Sequence, residues 1–68
     1  MNFTLECERE DEGRWLADVP QLPGVLACGA LQAEAMARAE VLALRVLADR
    51  LEHGEAQPTD IRISLTAA

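Results

Sequence analysis

From Phe3 to Glu10 apolar and polar residues alternate, with Phe3, Leu5 and Cys7 on one side and Thr4, Glu6, Glu8 and Glu10 on the other. That period predicts a half-buried strand. Asp11-Glu12-Gly13 then has the composition of a hairpin turn, in which Gly supplies the positive φ a short loop demands. A second strand follows over Arg14 to Val19, setting Trp15, Ala17 and Val19 against Leu16 and Asp18, and it stops at Pro20, which has no N–H to give a ladder. Pro20-Gln21-Leu22-Pro23-Gly24 is a rigid corner with Leu22 as its hydrophobic anchor. A third strand is expected over about Val25 to Cys28.

Past Gly29 the pattern becomes helical. Good helix formers run from Leu31 to His53, and Gly54 stands where a left-handed residue ends a helix. Such a helix has about 22 residues and a length of roughly 33 Å. Glu55 to Asp60, with Pro58, reads as a loop, and Ile61, Ile63 and Leu65 alternate with Arg62, Ser64 and Thr66 in a last strand. The predicted fold is α+β, in the order β-β-β-α-β: a small, mostly antiparallel sheet with one helix on one face, forming a single domain over residues 1–68.

Wrapped at about 100° per residue, the helix gathers Glu34, Arg38, Arg45, Asp49 and Glu52 into one narrow stripe. Apolar side chains occupy the rest, with Ala35, Ala39, Leu42 and Val46 on one flank, Met36, Leu44, Leu47 and Leu51 on the other, Ala43 between them and Val41 further round. One sheet face cannot cover so wide a surface. Val41, Leu44 and Leu51 are therefore expected to meet a second copy of the chain in a homo-oligomer, at least a dimer. The length of 68 residues points the same way, since a domain this small buries only about 60% of its unfolded surface and gains stability by associating.

Charge narrows the partners. The formal net charge is −6, every basic residue is Arg, and Glu6, Glu8, Glu10, Asp11 and Glu12 crowd the first strand and turn. Such a field repels phosphate backbones, so no direct nucleic-acid binding is expected, and it attracts a basic protein. The longest apolar runs fall short of the roughly 18 to 20 residues of a membrane span, and the acidic first dozen residues lack a signal peptide's basic start. A cytoplasmic location is expected. Cys7 and Cys28 are then reduced, small and buried in their strands.

The residues offer little to catalysis. Zinc needs more ligands than Cys7, Cys28 and His53 provide, and His53 at the helix end has no reason in sequence to meet either thiol. Glu6, Glu8 and Glu10 share a face, with Asp18 a possible neighbour, an arrangement suited to loose cation binding at most. No enzyme activity and no cofactor are expected.

Gly13-Arg14-Trp15-Leu16-Ala17, Val19-Pro20-Gln21-Leu22-Pro23-Gly24, Cys28-Gly29 and Glu34-Ala35 together resemble the recurring pattern of the HicB-like antitoxin domain. In that family a hairpin Gly-aromatic leads to Ala, then Val-Pro-x-Leu-Pro-Gly, then a Gly before a helix that opens with Glu-Ala. The resemblance implies a domain likened to a truncated ribonuclease H fold and a role as antitoxin to a HicA-like partner, a small basic ribonuclease that cleaves messenger RNA. Charge complementarity then makes the acidic face of Glu6, Glu8, Glu10, Asp11 and Glu12 the surface expected to meet such a basic partner, with Trp15 and Leu22 as candidate hydrophobic contacts, although core packing is the favoured role for Trp15 and corner packing for Leu22. Family antitoxins commonly append a DNA-binding segment; none follows the last strand here, and operator binding is not expected. Leu31 stands where the family has Thr or Ser, so the helix is expected to start uncapped by a side chain, at Gly29 or Ala30. The alternative function is a free-standing oligomeric binding domain with some other protein partner.

Overall fold

The computed structural model describes residues 2–55 and 64–67, and side chains from Phe3 to Glu55. Three strands, β1 (Asn2–Arg9), β2 (Trp15–Asp18) and β3 (Leu26–Gly29), form an antiparallel sheet, and one helix, α1 (Gln32–Glu52), packs against it. Each strand lies within a residue or two of its expected place. The hairpin is closed as its composition requires: the Gly13 N–H donates to the Glu10 carbonyl at 2.9 Å, and Gly13 takes φ +83°. Glu10 therefore belongs to the turn, and β1 ends one residue earlier than alternation indicates. A further four-residue strand, β4 (Ser64–Ala67), runs parallel to β1 with Asn2 opposite Ser64 and Leu5 opposite Ala67. Ile61 and Ile63, which the alternation assigns to this strand, lie outside the described residues.

The corner between β2 and β3 folds on itself. The Leu22 N–H donates to the Val19 carbonyl and the Val25 N–H to the Leu22 carbonyl, while Gly24 adopts φ +92°. These bonds turn Leu22 inward, where it is 1% exposed among the largest fully buried side chains. Its candidate role as a partner contact is therefore corrected: the side chain is sealed in the core and anchors the corner.

The helix meets the sheet through a row spaced by four, Ala35, Ala39, Ala43 and Leu47, all buried. Phe3, Leu5, Ala17, Val19, Leu22 and Val25 complete the core, with Met36, Leu42 and Val46 half-buried beside it. The row is drawn from both flanks and the position between them: Ala35 and Ala39 from one, Leu47 from the other, and Ala43 from between. Three of the four contact residues are alanines, which allows the helix axis to come close to the sheet. Gly29 continues that close approach at the edge: a Cβ there would lie 2.9 Å from the Ala35 backbone nitrogen and 3.1 Å from Glu34 Cβ. The Arg38 guanidinium fastens the same corner, donating to the Cys28 carbonyl at 2.8 Å and pairing with Glu34 at 2.9 Å.

Both helix ends follow from local sequence. Leu31 is the N-cap, extended at φ −120° and ψ 150°, and provides no side-chain acceptor. The missing hydroxyl is as expected; the start is not, because Gly29 is committed to β3 and the first helical bond runs from the Ala35 N–H to the Leu31 carbonyl. At the other end the Gly54 N–H bonds to the Leu51 carbonyl and the Glu55 N–H to the Arg50 carbonyl, with Gly54 at φ +70°. This pair of bonds is a Schellman motif.

Two substitutions test this packing by urea denaturation. Leu22→Ala should cost about 2–5 kcal/mol, a large share of the stability of so small a domain. Gly29→Ala should cost about 1–3 kcal/mol through the clash with the helix start, and unchanged stability would show that the helix has room to retreat.

Candidate protein-binding face

Strand alternation sends Phe3, Leu5, Cys7, Trp15, Ala17 and Ala27 toward the helix, so Thr4, Glu6, Glu8, Leu16, Asp18, Leu26 and Cys28 occupy the opposite face. The register arranges this second face in rows across the sheet. Glu6 stands opposite Asp18, which stands opposite Leu26; Glu8 stands opposite Leu16, which stands opposite Cys28. Glu6, Glu8 and Leu26 are exposed, and Leu16, Asp18 and Cys28 are half-buried. A shallow hollow of about 240 Å³ lies among Glu6, Glu8, Leu16, Asp18 and Leu26.

The pairing of Glu6 with Asp18 places like charges directly opposite one another on adjacent strands, an arrangement that destabilises a sheet. Neither residue has an ion-pair partner among the described residues. The positive group on this face is Arg14, whose Nη2 donates to Cys28 Sγ at 3.2 Å. Beyond the end of β1, exposed Glu10, Asp11 and Glu12 extend the negative surface into the hairpin turn. The face is therefore apolar at Leu16 and Leu26 and negative around them.

Of the residues expected here from sequence, the structure unites Glu6 and Glu8 with Asp18 and sets Glu10, Asp11 and Glu12 at one end. Trp15 is not on this face: it lies on the helix side of the sheet, half-buried against the core, in the packing role the sequence favours for it. Leu16 and Leu26 were missed. Their parity along each strand was legible, but membership of one face with Glu6 and Glu8 depends on the register.

Val41, Leu44 and Leu51 are 47%, 42% and 40% exposed on the helix side turned away from the sheet. Between α1 and β3 an open apolar groove of about 410 Å³ is lined by Ala27, Ala37, Arg38, Val41 and Leu42. The two thiols are free and half-buried, less deeply than expected, and they sit on opposite faces of the sheet. His53 pairs with its own helix, its Nδ1 lying 2.8 Å from the Asp49 carbonyl oxygen and 3.2 Å from Asp49 Oδ1. Among the described residues no group of three or more His, Cys, Asp or Glu could hold a metal ion, and no helix is long and apolar enough to cross a membrane.

Fold and face together define a small α+β domain whose sheet, among the described residues, is covered by the helix on one face and open on the other. Compared with models of protein families, with curated proteins and with solved structures, the chain matches none.

Relief of the Glu6–Asp18 opposition gives a direct measurement. Glu6→Lys should raise the stability of the isolated chain by about 0.2–1 kcal/mol in urea denaturation; a loss of stability would show that the two carboxylates are accommodated without strain. For the thiols, titration of protein purified without reductant should return two per chain, since the sheet separates them.

Proposed function

We propose that this chain is a protein-binding module of the HicB-like antitoxin type, which holds a small basic ribonuclease resembling HicA against its open sheet face and excludes RNA by occupying the toxin's basic surface. The observation that carries this reading is the opposition of Glu6 and Asp18 beside exposed Leu26. A free chain that sets like charges across two strands gains when a cation comes between them, and neighbouring Leu16 and Leu26 offer apolar contact at the same place. Exposed Glu8, Glu10, Asp11 and Glu12 add a field that steers a basic protein toward this side.

The geometry of the corner supports the same reading. The Val19-Pro20-Gln21-Leu22-Pro23-Gly24 segment has a definite task, with Leu22 buried, Gly24 at positive φ and Val19 bonded to Val25 across the turn. In this proposal the complete domain is β-β-β-α-β and akin to a truncated ribonuclease H fold, with its carboxylates used for recognition. Inhibition is steric.

The experiment is a kinetic binding assay with the small basic protein encoded beside this chain's gene, at low and high salt. Reversal of Glu8 and Glu10 to Lys should slow association by about tenfold at low salt and change dissociation less, because charges at an interface rim act mainly on encounter. Glu6→Lys should weaken binding even though it stabilises the free chain. Equal rates and equal salt response for wild type and variants would reduce this face to a solvated surface, and the absence of any basic neighbour would favour another protein partner.

A further inference from the structure

The exposed side of α1 has a pattern that the acidic face does not explain. Ala37, Val41, Leu44, Ala48 and Leu51 follow one another at spacings of four, three, four and three, and all are exposed. This is the apolar seam of a two-helix coiled coil, and it lies on the far side of the helix from the buried row Ala35, Ala39, Ala43 and Leu47. A helix that only covered a sheet would have no use for a second seam. Along the edge nearer β3 run Arg38, Arg45 and Glu52. Arg38 is committed to Glu34 and the Cys28 carbonyl, whereas Arg45 and Glu52 are exposed and have no ion-pair partner among the described residues.

We infer that two copies of this chain pair through α1 in antiparallel fashion, with Leu44 against the partner's Ala48, Val41 against the partner's Leu51, and Arg45 against the partner's Glu52. Three features favour this arrangement. A two-fold axis near Val46 makes each contact occur twice, so the chain is complementary to itself. Large side chains meet small ones in the central layers, whereas a parallel pair would set Ala48 against Ala48 and leave a gap. Antiparallel helices also oppose their macrodipoles. The seam from Val41 to Leu51 is about 15 Å long, and the groove beside Ala37 and Val41 continues its apolar surface toward β3. The sheet's acidic face points away from this contact and stays free in both copies.

Charge reversal tests the register. Within one chain Arg45 and Glu52 are two turns apart and do not touch, so any coupling between them is between copies. Sedimentation across the micromolar range should show wild type associating to twice its 7.4 kDa mass. Arg45→Glu alone and Glu52→Arg alone should each weaken the dimer about tenfold, since each creates two like-charge contacts. An equimolar mixture of the two variants should recover wild-type association, because every contact in the mixed dimer is again between opposite charges. Circular dichroism serves as the control that both variants keep their helix. Wild type that remains monomeric throughout overturns the proposal. So does association that neither reversal weakens, or that Arg45→Glu weakens while Glu52→Arg does not, the pattern of a parallel pair joined through Glu40.

Discussion

The structure depends on how closely one helix can approach one small sheet. Ala35, Ala39 and Ala43 present little more than a Cβ each, and Gly29 presents none where β3 passes beneath the helix start. A short contact of this kind leaves little volume to fill, which is why, among the described residues, a core with Phe3 as its phenyl ring and Leu22, Leu47 and Val19 as its largest fully buried side chains closes without a buried polar group. The close approach also needs exact ends. The helix stops in a Schellman motif at Gly54, and its start is held by Arg38 reaching back to the β3 backbone where a capping hydroxyl is missing.

Closeness on one face has a consequence on the others. One helix covers one side of a sheet and is itself covered on one side, so the molecule carries two outward surfaces that its own folding does not use. They differ in chemistry. The sheet surface combines Leu16 and Leu26 with Glu6, Glu8 and Asp18, and its charges oppose each other across the strands; the helix surface is an apolar ribbon edged by Arg45 and Glu52. Because the sheet lies between one surface and the helix core, and the helix between the core and the other, both can be occupied at once without competing.

In the proposed function, folding stability and binding are in tension at the sheet surface. A lysine at Glu6 or Asp18 would serve the isolated chain better, since opposite charges across a strand pair attract. Residues that weaken a local structure without an evident return are most simply understood where a partner completes them. The same reasoning does not extend to Leu22, which is buried, or to Trp15, which packs half-buried against the core.

Much of this was legible in the order of residues. Alternation identified the strands because a pleated backbone sends neighbours to opposite faces, Gly13 and Gly54 marked turns because few other residues accept positive φ, and the excess of apolar positions on the helix required an exposed apolar stripe. Periodicity, however, ranks faces only by their composition. It set Val41, Leu44 and Leu51 outside the contact, where they are exposed, but could not tell that Ala35, Ala39, Ala43 and Leu47, divided between its two flanks and the position between them, form one contact row, because the rotation of the helix about its axis is set by the sheet it meets. Nor could it show Glu6 facing Asp18 or Leu26 joining their row. Which residues stand opposite one another is set by strand register, and register emerges only when turn, corner and helix contact are satisfied together.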